Sequence, residues 1–147
     1  MNEETVRSIA ICVFRKDSSI FVAEGYDKTK DEIFYRPLGG TIEFGEYGNE
    51  TVALELREEI GAAVTNVRYL GTLENIFVFE GRPGHELVLV FEGDFIERSF
   101  YEKKRIEGVE TTGSLQAVWK PLDFFLNSET SLYPDGLLAL LTQHWNL

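Results

Sequence analysis

The chain has 147 residues, 44% of them hydrophobic, enough to bury the core of one domain spanning 1–147 and too few for a second. Its net charge of −11 argues against nonspecific binding to nucleic acid polymers, whose affinity comes mainly from lysines and arginines neutralising phosphates; a small nucleotide remains compatible. No run approaches the roughly 20 consecutive apolar residues of a membrane span, the acidic start Met1-Asn2-Glu3-Glu4 lacks a signal-peptide pattern, and the single cysteine, Cys12, sits in an apolar run, which together read as a cytoplasmic protein without a membrane partner.

Residues 6–14 are rich in β-formers, Lys16-Asp17-Ser18-Ser19 reads as a turn, and residues 20–23 return as a second strand. The stretch 26–32 is polar and loop-like, and Ile33-Phe34-Tyr35 reads as a short strand. It feeds residues 36–46, which carry three glycines, one proline and no helical period, a composition expected of a structured loop. Residues 50–60 have a helical period and end at Gly61, where a helix-terminating glycine belongs. Strand candidates follow at 64–73, 76–79 and 87–91, the last two separated by the turn residues Gly81, Pro83 and Gly84. A last strand at 116–119 precedes Pro121, and Pro134 opens an apolar helix through Trp145 whose buried side is Leu137, Leu138, Leu140 and Leu141. Strands on both sides of a central helix, with a terminal helix, predict an α/β fold, an α/β/α sandwich around a mixed β-sheet.

The helix at 50–60 has two distinct faces. At about 100° per residue, Val52, Ala53, Leu56 and Ile60 form an apolar stripe, and Glu55, Glu58 and Glu59 occupy the neighbouring arc. Like charges at these spacings repel by a few tenths of a kcal/mol per pair. Such a face is either a solvated acidic surface or a cradle for a divalent cation. The flanking glycines favour the cradle, because Gly39 and Gly40 let backbone groups approach a ligand closely.

Gly40, five residues, Glu46, seven residues and then Leu54-Glu55-Leu56-Arg57-Glu58-Glu59-Ile60-Gly61-Ala62 resembles the Nudix box, the signature of the Nudix hydrolases. Both glycines and all four glutamates match, and Leu56 fits the first aliphatic position. Ala62 is a small residue at the last aliphatic place, and Leu54 stands where the family has an arginine. The resemblance implies the Nudix fold over essentially the whole chain and Mg²⁺-dependent hydrolysis of a pyrophosphate bond in a nucleoside diphosphate derivative, with Mn²⁺ as a second usable ion. It implies Glu55 and Glu59 as main metal ligands, Glu58 as a further ligand, the Gly39 carbonyl joining them, and Glu46, Arg36 and Gly40 in support or at the substrate. The general base is a helix glutamate, Glu55 or Glu58, or a carboxylate from a later loop, where Glu102, Glu107 and Glu110 in the charged stretch before Trp119 are the candidates. In the family the box arginine pairs with a box carboxylate and steadies the catalytic glutamate; Arg57 and Arg36 are the two candidates to replace it here. The competing reading that Leu54 motivates is a catalytically weakened or inactive Nudix-fold module that binds nucleotides or regulates. Many family members are homodimers, and a homodimer is compatible with the resemblance.

Of the remaining residues, His85-Glu86 reads as a strand-edge pair more readily than a substrate contact, and Phe77 and Phe79 as core packing more readily than base stacking. Tyr35 and Phe44 flank the glycine segment and are the better base-stacking candidates. Trp119 reads as structural, and His144 as an exposed helix residue.

Overall fold

The computed structural model describes residues 4–146, so Met1, Asn2 and Glu3 of the acidic start lie outside the described residues. Strand β1 (Val6–Val13) passes directly into a short hairpin of β2 (Arg15–Lys16) and β3 (Ser19–Asp27) that belongs to a different sheet from β1, so the two apolar runs of the N-terminal region are not paired with each other; β4 (Glu32–Arg36) and β5 (Leu38–Thr41) follow. Helix α1 (Gly48–Ile60) leads to the long hairpin of β6 (Val64–Phe79) and β7 (Arg82–Phe95). After α2 (Ser99–Glu102) come β8 (Arg105–Glu110), β9 (Gly113–Pro121), α3 (Leu122–Leu126), β10 (Ser131–Leu132) and α4 (Leu137–His144).

The strands form a four-stranded sheet, β5-β1-β7-β6, and a six-stranded sheet in which β2 joins the path β10-β4-β3-β9-β8. Both are mixed: β1 runs parallel to β7, and β10 parallel to β4, within otherwise antiparallel pairings. The central strands are buried on both faces, which explains their unbroken apolar sequence. Along β1 and its end, Ala10, Cys12 and Phe14 enter one core with Val52 and Leu56 of α1, whereas Ile11 and Val13 enter another with Leu137 and Leu141 of α4. β3 splits likewise, Phe21 and Ala23 facing α1 while Ile20 and Val22 face α4. Helices on both faces of a mixed β-layer are the expected α/β/α arrangement.

Five local expectations change. The glycine segment is partly a strand: β5 pairs antiparallel with β1, and a Cβ at Gly39 would lie 2.0 Å from the Ala10 carbonyl oxygen, so glycine is needed there for the strands to approach. The two candidates at 64–73 and 76–79 are one strand, because the intervening Asn75 is buried and its Oδ1 accepts the Asp135 backbone N–H at 3.2 Å, tying β6 to the segment before α4. β3 extends through the stretch expected as loop as far as Asp27, whose buried carboxylate accepts backbone N–H groups from Thr29, Lys30 and Glu80. The charged stretch after α2 is a strand, not a loop, with Glu107 and Glu110 on β8. The last helix starts at Leu137 and not at Pro134, because Gly136 precedes it with φ 88°, outside helical geometry. Among the described residues no helix is long and apolar enough to cross a membrane.

Candidate active site

Helix α1 presents its carboxylates because its own ends are fixed by the chain. At the start, the Glu50 carboxylate accepts the Tyr47 N–H at 2.8 Å. At the end, Gly61 adopts φ 70°, and the N–H groups of Gly61 and Ala62 return to the Arg57 and Leu56 carbonyls, a Schellman-type stop. Val52 and Leu56 are fully buried and Ile60 partly so, while Ala53, expected in the same stripe, is exposed. Glu59, on the opposite flank of the stripe from Ala53, joins the buried face instead and is only 8% exposed.

Three carboxylates therefore leave one helix into three environments. Glu58 is exposed. Glu55 is half-buried against β5, close enough that a Cβ at Gly40 would lie 2.6 Å from its carboxyl carbon. Glycine at 40 leaves the space this carboxylate fills. Burial raises the Glu55 carboxyl above the ordinary range, and the charges of Glu58, Glu46 and Glu43 add to the shift. Burial likewise pushes Glu59 up to about 8; Arg36 opposes the rise, and Glu55, Glu110 and Glu58 reinforce it. Glu59 Oε1 is buried and has no hydrogen-bond partner among the described residues.

The surroundings come from β4, β8 and the turn before α1. Arg36 ends β4 opposite Ala23, on the α1 side, and its Nη2 donates to Glu110 Oε2 at 3.1 Å. β8 closes on α1 through Gly108, where a Cβ would meet the Glu59 carbonyl oxygen at 2.2 Å. Successive strand residues alternate in direction, so Ile106, Gly108 and Glu110 face α1, and the exposed Glu107 faces away. Glu46 Oε1 accepts both the Thr51 hydroxyl at 2.6 Å and the Glu43 N–H at 3.2 Å. Leu54 is 44% exposed on the helix surface.

The NUDIX domain family profile matches residues 4–134. The chain belongs to the Nudix family. Its class of activity is that of a Nudix-type pyrophosphohydrolase. A search of curated proteins gives no match. Among solved structures, a NUDIX hydrolase from Nitrosomonas europaea superposes with TM-score 0.70 at 15% identity, covering 97% of this chain and 90% of that one. A MutT NUDIX hydrolase from Burkholderia pseudomallei gives 0.61 at 18% identity over 82% and 86% of the two chains. A structure from work on MutT of Aliivibrio salmonicida and Vibrio cholerae gives 0.60 at 20% identity over 95% and 99%. At these identities the superpositions speak to fold, and the profile carries the family.

The structure brings Glu55, Glu59, Gly40, Arg36 and Glu110 of the Nudix box and its surroundings together, with Glu58 at the rim and Glu46 at the helix start. It does not bring in Glu107, nor Glu102, which is exposed on α2. Tyr35 is only 5% exposed in the α4-side core against Phe124 and Phe125, so its burial corrects the expectation of base stacking. Phe44 is fully exposed in the turn between β5 and α1. Phe77 lies over Gly84 and Phe79 packs edge-on against Phe34, but Phe79 is exposed and neither ring enters either core, which corrects the expectation of core packing: both lie toward the far end of the long β6–β7 hairpin. Trp119 donates to the Phe100 carbonyl at 2.9 Å, a structural role, and exposed His144 contacts the Leu70 carbonyl. The residue overlooked in the sequence is Thr51, whose short polar side chain lies within the helix, where it gives little signal.

The donor set suits a hard divalent cation, which takes oxygen ligands. An orphan buried carboxylate oxygen on Glu59 and the Gly40 space filled by the Glu55 carboxylate both fit one. Among the described residues no three acidic, histidine or cysteine side chains are already gathered around one point, so ligation by Glu55, Glu58 and Glu59 requires rotamer changes that converge them.

Proposed function

We propose that this Nudix domain, a single unit over 1–147, hydrolyses a pyrophosphate bond in a nucleoside diphosphate linked to another moiety, with Mg²⁺ or Mn²⁺ as cofactor and the cytoplasm as its compartment. The observation that supports the reading best is the pairing of half-buried Glu55 with buried, unpartnered Glu59 behind the Gly39-Gly40 strand. Glu55, Glu58 and Glu59, joined by the Gly39 carbonyl, would hold the cation. Bound there, it would offset charge growing on phosphoryl oxygens and acidify a water.

The chain's own groups supply the rest. Glu55 or Glu58 takes the proton from the attacking water. Arg36, 41% exposed in its side chain and tied to Glu110, places a positive charge beside Glu59 and at the mouth of the site. Glu110 is the β8 carboxylate positioned to replace the helix glutamate as base, whereas Glu107 is not.

The test is a screen of nucleoside triphosphates, ADP-ribose, dinucleotides and nucleotide sugars with Mg²⁺ and with Mn²⁺, measuring phosphate and pyrophosphate release separately. Metal-dependent cleavage of a phosphoric anhydride supports the reading. Tight nucleotide binding without cleavage in either metal would instead support the inactive-module reading that Leu54 motivates.

A further inference from the structure

Glu46 is the box carboxylate farthest along the chain from the others, and in this protein no arginine from α1 holds it. Its carboxylate Oε1 is held by two donors: the Thr51 hydroxyl at 2.6 Å and the Glu43 backbone N–H at 3.2 Å. Thr51 is the fourth residue of α1 and 1% exposed; its hydroxyl has two acceptors in reach, Glu46 Oε1 at 2.6 Å and the Tyr47 carbonyl at 3.3 Å, and the carboxylate is the nearer. A hydroxyl donating to an ionised carboxylate is a charge-assisted bond, stronger than a neutral pair. Thr51 and Glu55 are four residues apart on α1, so the Glu46 carboxylate held by Thr51 sits one helical turn before Glu55 on the same face. Leu54, one turn further along the helix and half in solvent, contributes neither a donor nor a charge.

We infer that Thr51 is a positioning residue for the site, its buried hydroxyl locking Glu46 beside Glu55 and so doing what the missing arginine at position 54 does elsewhere in the family. The inference rests on the proposed function above. It accounts for how a box can lack its arginine and still keep its first glutamate in place: a neutral donor from inside the helix replaces a cation from its surface.

The test uses Mn²⁺ alone as the probe, titrated into metal-free full-length protein by calorimetry, with thermal midpoints recorded in parallel. Thr51→Val keeps the shape and removes the hydroxyl; it should weaken Mn²⁺ binding by about tenfold, the size expected for losing one hydrogen bond to a charged group. Thr51→Ser keeps the hydroxyl and should bind as the parent does even if its midpoint falls. Leu54→Arg placed in the Thr51→Val background should recover most of the loss. Glu55→Gln serves as the reference that must weaken Mn²⁺ binding if the cluster is a metal site at all. Thr51→Val binding Mn²⁺ as tightly as the parent, while Glu55→Gln does not, overturns this inference and leaves the proposed function standing. A Thr51→Ser protein as weak as Thr51→Val also overturns it, since packing and not the hydroxyl would then matter. Glu55→Gln binding Mn²⁺ unchanged overturns the proposed metal site and the inference with it.

Discussion

Replacing Glu59 by glutamine should make the metal-free protein more stable in alkaline solution. The folded carboxyl is pushed up to about 8 because burial disfavours its charge, from an ordinary value of 4.5. Between these values the folded chain binds a proton that the unfolded chain has released, so the free energy of unfolding falls as pH rises. The contribution is fully present below the unfolded value and is lost as pH passes through the folded one. At about 1.4 kcal/mol for each tenfold change in proton affinity, the full interval would cost several kcal/mol; allowing for relaxation and for water reaching the carboxylate, roughly 3 kcal/mol is the expected loss between pH 5 and pH 9. Other groups titrate over the same range, so the informative quantity is the difference between the parent and Glu59→Gln. Urea unfolding in the presence of a chelator at pH 5, 7 and 9 gives that difference directly. The two proteins should be close at pH 5, and the variant should be ahead by roughly 3 kcal/mol at pH 9. Added Mn²⁺ should stabilise the parent and leave the variant almost unmoved. A parent whose stability follows the variant at every pH would refute the reasoning, because Glu59 would then be solvated and not buried unpaired.

Three further outcomes follow from the same geometry. Gly40→Ala puts a Cβ where the Glu55 carboxyl now sits, 2.6 Å away, and since the obstacle is the end of a flexible side chain the fold should survive while turnover falls about tenfold, read from kcat with thermal midpoint as control. Arg36→Met breaks the 3.1 Å pair with Glu110 and removes the cation that opposes the rise of Glu59. Its pH–rate profile should therefore shift to higher pH than the parent's, and an unshifted profile would place Arg36 outside the site. Glu110→Gln should lower turnover measurably and Glu107→Gln should leave it within about twofold, because β8 turns the first toward α1 and the second toward solvent; equal effects would contradict that facing.

The parts of this protein legible in its sequence are those where one physical rule acts alone. The helix from Gly48 to Ile60 announces itself by its period and its glycine stop, and the glutamate spacing locates the cluster before any coordinate does. β1 and β3 are apolar on both faces because helices cover both, so their sequence could hardly be read otherwise. What escapes is where tertiary packing outweighs local preference. β5 contains two glycines that argue against a strand, yet the close approach to β1 at Gly39 and the Glu55 carboxylate at Gly40 require them. β8 is an edge strand carrying charges, as edges do to avoid self-association, so its one well-buried apolar residue, Ile106, gives too little alternation to be noticed. The direction of Glu110 and Glu107 depends on that strand and was hidden with it. Burial of Glu59 was hidden for another reason: helical period places it beside the apolar stripe, and the approach of β8, whose Gly108 meets the Glu59 backbone, is a tertiary contact with no local signal.

The proposed function assigns metal-dependent pyrophosphate cleavage to the α1 carboxylates. Its most direct measurement is the initial rate on the best substrate from the screen, across a Mg²⁺ titration, for the parent, Glu55→Gln and Glu59→Gln. The parent's rate should saturate with Mg²⁺, and both variants should be slower by on the order of a hundredfold or more at every Mg²⁺ concentration. A parent rate independent of metal, or variants that keep the parent's rate, would contradict it.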